Sequence, residues 1–155
     1  VLDADALNIL SYNIGMVKTC SVPIVMTPHM MEMSRLIGKD VSEIAKDRFN
    51  IATRFAKEYE VNLVLKDAKS VVTSGGEQMY MNLAGNNGMS TGGSGDVLAG
   101  IIAGMLAGGL PLFEAAQIGT YVHCLAGDRA AAKKGKYAML ASDIIACLGE
   151  VMRDE

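Results

Sequence analysis

Cysteine is scarce in this sequence, and lysine and arginine never form a block. The three cysteines, Cys20, Cys124 and Cys147, are neither an even set nor at metal-ligand spacing. That argues against a disulfide framework and for buried thiols in a reducing, cytoplasmic compartment. No base or cation pattern beside them marks a reactive thiol. Lys and Arg total 14 against 17 Asp and Glu, a net charge of −3. Without a basic patch, nucleic acid is not a partner this chain is built for. Only 20% of residues are charged and 50% are hydrophobic, which excludes disorder. The apolar uncharged run 97–113 holds four glycines and ends in Leu110-Pro111-Leu112-Phe113. It reads as a buried helix, not a membrane span. The first residues carry Asp3 and Asp5 without a basic flank, so no signal peptide is read there. Repeats, proline-rich linkers and low-complexity tracts are missing, and 155 residues suffice for one domain with a real core.

Glycine, by contrast, is concentrated. Gly85-Asn86-Asn87-Gly88-Met89-Ser90-Thr91-Gly92-Gly93-Ser94-Gly95-Asp96 leads into an apolar run. Gly92, Gly93 and Gly95 permit positive φ and a close backbone approach to a ligand. Val97, Ile101, Ile102, Met105 and Leu106 follow at helical spacing. A glycine turn therefore feeds a helix N-terminus, whose unpaired N–H groups and dipole favour phosphate. Asp96 sits in that first turn. It either takes a proton from a hydroxyl reacting at a phosphoryl group or merely caps the helix. A short glycine-rich match alone leaves both open.

Elsewhere short apolar runs alternate with amphipathic stretches. Strands are predicted over 1–5, 24–27 and 62–66, with a hairpin pairing 71–73 and 78–83 around Ser74-Gly75-Gly76-Glu77. Helices are predicted over 6–10, 31–37, 41–59, 96–107, 113–133 and 143–152. Asp40 and Glu43 have capping-box spacing, and Ser142 is placed to cap the last helix. Ile44, Ala45, Phe49, Ala52, Phe55, Ala56 and Tyr59 share a face of the long helix. The alternation predicts an α/β fold with a mainly parallel sheet flanked by helices. Met26, Met30, Met33, Met105 and Met139 read as core filler, and His123 as a structural helix residue.

Further acids and bases fall at strand ends, where open α/β sheets bind ligands. Asp3 and Asp5 suit Mg²⁺ or a hydroxyl; equally, Asp5 caps a helix and Asp3 bonds backbone. His29, with Glu32 about one turn later, either meets an amide, ribose or phosphate or is a plain loop histidine. Lys66 is a point charge for a phosphate or a solvated strand end. Asn82, Asn86 and Asn87 favour turns, and Asp128 reads as orienting one.

Met89-Ser90-Thr91-Gly92-Gly93-Ser94-Gly95-Asp96-Val97-Leu98 resembles the signature of the ribokinase-like superfamily. With Leu2-Asp3-Ala4-Asp5-Ala6-Leu7-Asn8, Thr27-Pro28-His29, Glu32, Leu65-Lys66 and Ala126-Gly127-Asp128, it is similar to ADP-dependent NAD(P)H-hydrate dehydratases over nearly the whole chain. The resemblance implies a ribokinase-like three-layer sandwich, with 1–155 the C-terminal part of one such domain and roughly another hundred residues before it. It implies repair of NADH hydrate and NADPH hydrate with ADP as phosphoryl donor and Mg²⁺ as companion, in a cytoplasmic homotetramer. By the same resemblance Asp96 is the base and touches substrate, and His29 contacts the hydrated dinucleotide. Lys66, Asp67, Ala68, Lys69 and Ser70, with Gly92, Gly93, Ser94 and Gly95, hold the nucleotide. The chain departs from the family at Met30, Met31, Asp67 and Asn87, where Pro, Gly, Gly and Pro are usual. Two alternatives stay open: a ribokinase-like kinase of a vitamin precursor such as hydroxyethylthiazole or a pyrimidine alcohol, and a nucleotide-binding fragment without activity.

Overall fold

The computed structural model describes residues 1–76 and 78–153. Two apolar runs, Ile24-Val25-Met26 and Leu63-Val64-Leu65, are buried throughout, as strands covered on both faces must be. They form β1 (Val25–Met26) and β2 (Asn62–Leu65), paired in parallel with Val25 opposite Asn62. Parallel bridges continue the pairing from Leu2 to Met26 and from His29 to Lys66. β3 (Val71–Thr73) and β4 (Met79–Met81) add an antiparallel hairpin, giving the order β1-β2-β3-β4. The sheet is thus parallel on the β1 side and antiparallel on the β4 side. Gly75 makes the hairpin turn at φ +78°. Glu77, last of the predicted turn residues, lies outside the described residues.

Alternation along the strands sorts the core into two faces. Leu63, Leu65 and Val71 share one face with Leu7, Met33, Ile44 and Phe55. These come from α1 (Asp5–Leu10), α2 (Met30–Ile37), α3 (Val41–Lys46) and α4 (Arg48–Tyr59). Val25, Val64 and Val72 pack on the other face against Leu98 and Ile102 of α5 (Ser94–Ala107) and Ala116 of α6 (Leu112–Lys134). α7 (Ala141–Val151) joins α5 and α6 through Ile144, Cys147 and Val151. Helices on both sides of one sheet make the three-layer α/β sandwich. Met26, Met33 and Met139 are buried, and Met30 and Met105 pack against the core, as filler does.

Several predicted boundaries move. Of the first strand only Leu2 bridges the sheet, because Ala4 takes φ +48° and turns the chain into α1. The predicted helix 41–59 breaks at Asp47, whose φ of −131° is not helical. The Asp47 carboxylate accepts from Asn50 Nδ2 at 2.6 Å and so serves the start of α4. The break turns the apolar face: Ala45 and Phe49, predicted for the core, are exposed, while Ile44, Ala52, Phe55 and Ala56 stay buried. The Glu43 carboxylate accepts the Asp40 N–H at 3.2 Å, as the spacing predicts. Leu140, not Ser142, precedes α7, and the Asp143 carboxylate accepts its N–H at 2.9 Å. Among the described residues no helix is long and apolar enough to cross a membrane.

Candidate functional site

β1 and β2 run in the same direction, so their carboxyl ends lie side by side. The Lys66 N–H donates to Pro28 O at 2.8 Å, which sets the Thr27-Pro28-His29 loop against Lys66. His29 opens α2. Its backbone N–H donates to Glu32 Oε2 at 2.7 Å. Its ring Nδ1 accepts the N–H groups of Met31 and Glu32, each at 3.1 Å. A nitrogen that accepts carries no proton, so the neutral ring keeps its proton on Nε2, 3.4 Å from Glu32 Oε1. That N–H is what His29 offers a ligand.

Lys66 Nζ lies 2.6 Å from Asp3 Oδ1 and 3.9 Å from Glu32 Oε2. Gly95 is what lets this group approach the start of α5. A Cβ there would lie 3.2 Å from Lys66 Nζ and 3.6 Å from Asp3 Oδ2. Gly95 thus serves close approach, and Gly93 supplies the positive φ, +85°, as the residue before α5. The helix begins at Ser94, two residues ahead of the predicted start. Among the described residues the N–H groups of Gly92, Gly93, Gly95 and Asp96 make no hydrogen bond. Together with the helix dipole they form an anion seat. Asp96, third in the helix, is exposed. Among the described residues its carboxylate makes no cap bond, and as the acid of the first turn it complements the helix dipole.

A cleft of about 740 Å³ joins these pieces. His29, Lys66, Asp67, Ala68, Ser70, Ser94 and Gly95 all line it. Lys69, Gly92, Gly93 and Asp96 lie outside the lining. The glycine turn therefore shows Ser94 and Gly95 to the cleft and Asp96 to solvent. Asp67 turns to Arg48, with Oδ2 3.1 Å from Nη1, and its Oδ1 accepts the Ala68 N–H at 2.8 Å. The charge that glycine would not carry here is paired, and Arg48 is drawn to the same loop. Asp128 accepts from Gly85 N–H at 2.9 Å and Asn86 Nδ2 at 2.8 Å, and so orients that turn.

The inner wall is the part that sequence reasoning missed. Thr120, His123 and Cys124 of α6 line the cleft. His123 is buried, with Nε2 3.3 Å from Ser94 Oγ. Burial pushes its pKa down to about 4, so the ring is neutral. Burial likewise pushes the Cys124 thiol up to about 11, which makes it inert. The signal was present: Thr120, His123, Cys124 and Gly127 share one helical face of small and polar residues. Among the described residues no cluster of three or more His, Cys, Asp or Glu could hold a metal ion. Asp3 and Glu32, the acids beside Lys66, both face its ammonium instead.

The chain is 45% identical over 154 residues to a bifunctional NAD(P)H-hydrate repair enzyme of Moorella thermoacetica, covering 99% of this chain and 29% of that protein. It thus spans less than a third of that relative's length. The structure matches ADP/ATP-dependent NAD(P)H-hydrate dehydratase of Bacillus subtilis, co-crystallised with ATP and Mg²⁺, at TM-score 0.81 and 28% identity, covering 85% of this chain and 48% of that one. It matches a ribokinase-like superfamily protein of Enterococcus faecalis at TM-score 0.81 and 33% identity, covering 98% of this chain and 51% of that one. A family model described as NAD(P)H-hydrate dehydratase matches residues 1–149, and the chain belongs to that family.

Proposed function

We propose that this chain takes part in the repair of hydrated NADH and NADPH, with ADP as phosphoryl donor. Hydroxide is a poor leaving group and phosphate a good one. The β-phosphoryl group of ADP passes to the ring hydroxyl, which releases AMP. Loss of phosphate and of a ring proton then restores the double bond and gives NAD(P)H. The observation that carries this reading is one cleft lined by the His29 loop, the Lys66–Ser70 loop and the start of α5. The nucleotide lies along Lys66, Asp67, Ala68, Lys69 and Ser70. The free N–H groups of Gly92, Gly93 and Gly95 face the transferring phosphoryl group, with the Ser94 hydroxyl beside them. Asp96, carboxylate free on the open side of the turn, takes the hydroxyl proton. His29 Nε2–H positions the dinucleotide. The activity named for the B. subtilis neighbour supports both nucleotide and substrate.

The side chains do not fit a metal held by the protein alone, since Asp3 and Glu32 are already opposed by Lys66. Mg²⁺ therefore enters with the nucleotide phosphates, and no step is assigned to it. The family resemblance alone supports a cytoplasmic homotetramer. The test is conversion of NADH hydrate with ADP and Mg²⁺, followed by the absorbance of reduced nicotinamide and by AMP. Asp96→Asn should lower kcat by about 10²–10⁴-fold and leave ADP binding within a few-fold. A stable phosphate ester without reduced nicotinamide would replace the dehydratase by a kinase, and full activity in Asp96→Asn would remove the base.

A further inference from the structure

His123 and Ser94 are each 6% exposed, and both line the cleft. One belongs to α6 and the other opens α5, and Nε2 and Oγ are 3.3 Å apart. The neutral ring carries one proton and the hydroxyl another. The bond between them uses one. The second makes no other side-chain hydrogen bond among the described residues, although the Ser94 backbone carbonyl also faces the ring and favours a proton on it. That second proton sits on Ser94 Oγ if Nε2 carries the ring proton, and on Nδ1 if Nε2 accepts. Beside Ser94 the N–H groups of Gly95 and Asp96 are also free among the described residues. An anion drawn to those groups meets the Ser94 oxygen too. With Nε2 accepting, a Ser94 lone pair faces the anion and repels it. With Nε2 donating, the Ser94 O–H points at the anion and binds it.

We propose that His123 is a positioning residue of the phosphoryl site: its Nε2–H donates to Ser94 Oγ and directs the Ser94 hydroxyl proton at a phosphoryl oxygen of the bound nucleotide. This deepens the nucleotide reading of the cleft and rests on it. His123 acts through Ser94 and adds no charge, because burial keeps it neutral. The pair also ties α6 to the glycine turn, so the turn is set by a helix that carries none of its motif.

The test has two arms. The first is calorimetric titration of ADP into the wild-type chain, Ser94→Ala, His123→Phe, His123→Gln and the double variant Ser94→Ala/His123→Phe, with thermal melts confirming that each folds. Ser94→Ala and His123→Phe should each raise Kd about tenfold, the loss of one hydrogen bond to a charged group. The double variant should be no weaker than either single one. His123→Gln keeps an N–H donor and should stay within about threefold of wild type. Additive losses, or an unchanged Kd in folded His123→Phe, overturn the proposal. The second arm reads the tautomer by ¹⁵N shifts of the imidazoles, which is tractable because the chain has two histidines. His29→Gln assigns the His123 signals. A proton on Nε2 in the free chain and with ADP is expected, and a proton on Nδ1 overturns the proposal. If wild type binds no ADP at all, the nucleotide reading falls, and the tautomer in the free chain still decides whether His123 donates to Ser94.

Discussion

Single residues at this site are held by paired charges more than by exposure. Lys66 is shared by Asp3 and Glu32, Asp67 is matched by Arg48, and His29 is fixed by two backbone donors on Nδ1. His123 is the exception, a titratable ring buried without a carboxylate within bonding distance among the described residues. An unfolded imidazole titrates near pH 6.5, and this one near 4. Between those values the unfolded chain binds a proton that the native chain refuses. The stability carried by the neutral ring is therefore complete above pH 6.5 and falls as pH drops through the window. At 1.36 kcal/mol per unit the loss reaches about 3 kcal/mol. Denaturant melts from roughly pH 7 to 4.5 should show a steeper loss in wild type than in His123→Phe. Parallel slopes would mean that the ring titrates normally. His29, Lys66 and Asp96 are legible in the sequence because each lies beside a local mark: a strand end, a proline or a glycine turn. The pairing of His123 with Ser94 is not, because the two are 29 residues apart and only the crossing of α5 and α6 joins them. Arg48 is missed for the same reason, 19 residues from Asp67.

At the level of elements, the strongly patterned stretches form where the sequence places them, and the differences fall at their ends. A helix face spaced by three and four residues does not record a break. Asp47 interrupts one such face without disturbing the spacing of Ile44, Ala52 and Phe55, so the interruption cannot be read from periodicity. The start of α5 is equally hidden, since a glycine at φ +85° and a serine look alike as turn residues. The 71–81 hairpin is legible, but what its turn packs against is not. Gly75 sits so close to α4 that a Cβ would be 2.2 Å from Lys57 N and 2.6 Å from Ala56 C. Both atoms are backbone and cannot swing aside. Thr73 Oγ1 also accepts the Gly75 N–H at 3.1 Å and donates to Gln78 O at 3.1 Å, which fixes the turn from inside. Gly75→Ala should therefore cost about 2–4 kcal/mol, from the positive φ and the collision together. Gly76→Ala is the control: its Cβ would meet nothing closer than Ser74 Oγ at 4.0 Å, and its φ is not positive. Equal melting temperatures for the two variants would show that α4 yields to the turn.

For the molecule as a whole, the same acid range that challenges His123 also removes the net charge. The pI is near 5.4 and the net charge at pH 7 only −3, so repulsion between copies vanishes close to that pH. What then meets is not wholly polar. Ile9, Tyr12, Met16 and Val22 are 69%, 92%, 56% and 66% exposed, on α1 and the segment that links it to β1. Composition makes the fold class legible, because half-hydrophobic runs that alternate helix and strand must be layered. It does not show which apolar residues remain outside, since that depends on which face each layer leaves uncovered. Light scattering should pass through a maximum near pH 5.4, with near-native circular dichroism at that maximum. The Ile9→Asp/Tyr12→Asp variant should scatter less and peak at a lower pH, because it removes apolar surface and adds two negative charges. His123→Phe should leave the scattering maximum in place while flattening the loss of stability, which separates association of the native chain from acid unfolding. Scattering that rises steadily toward low pH, in step with loss of circular dichroism and equally in both variants, would assign the whole effect to unfolding and leave the α1 surface without a part in it.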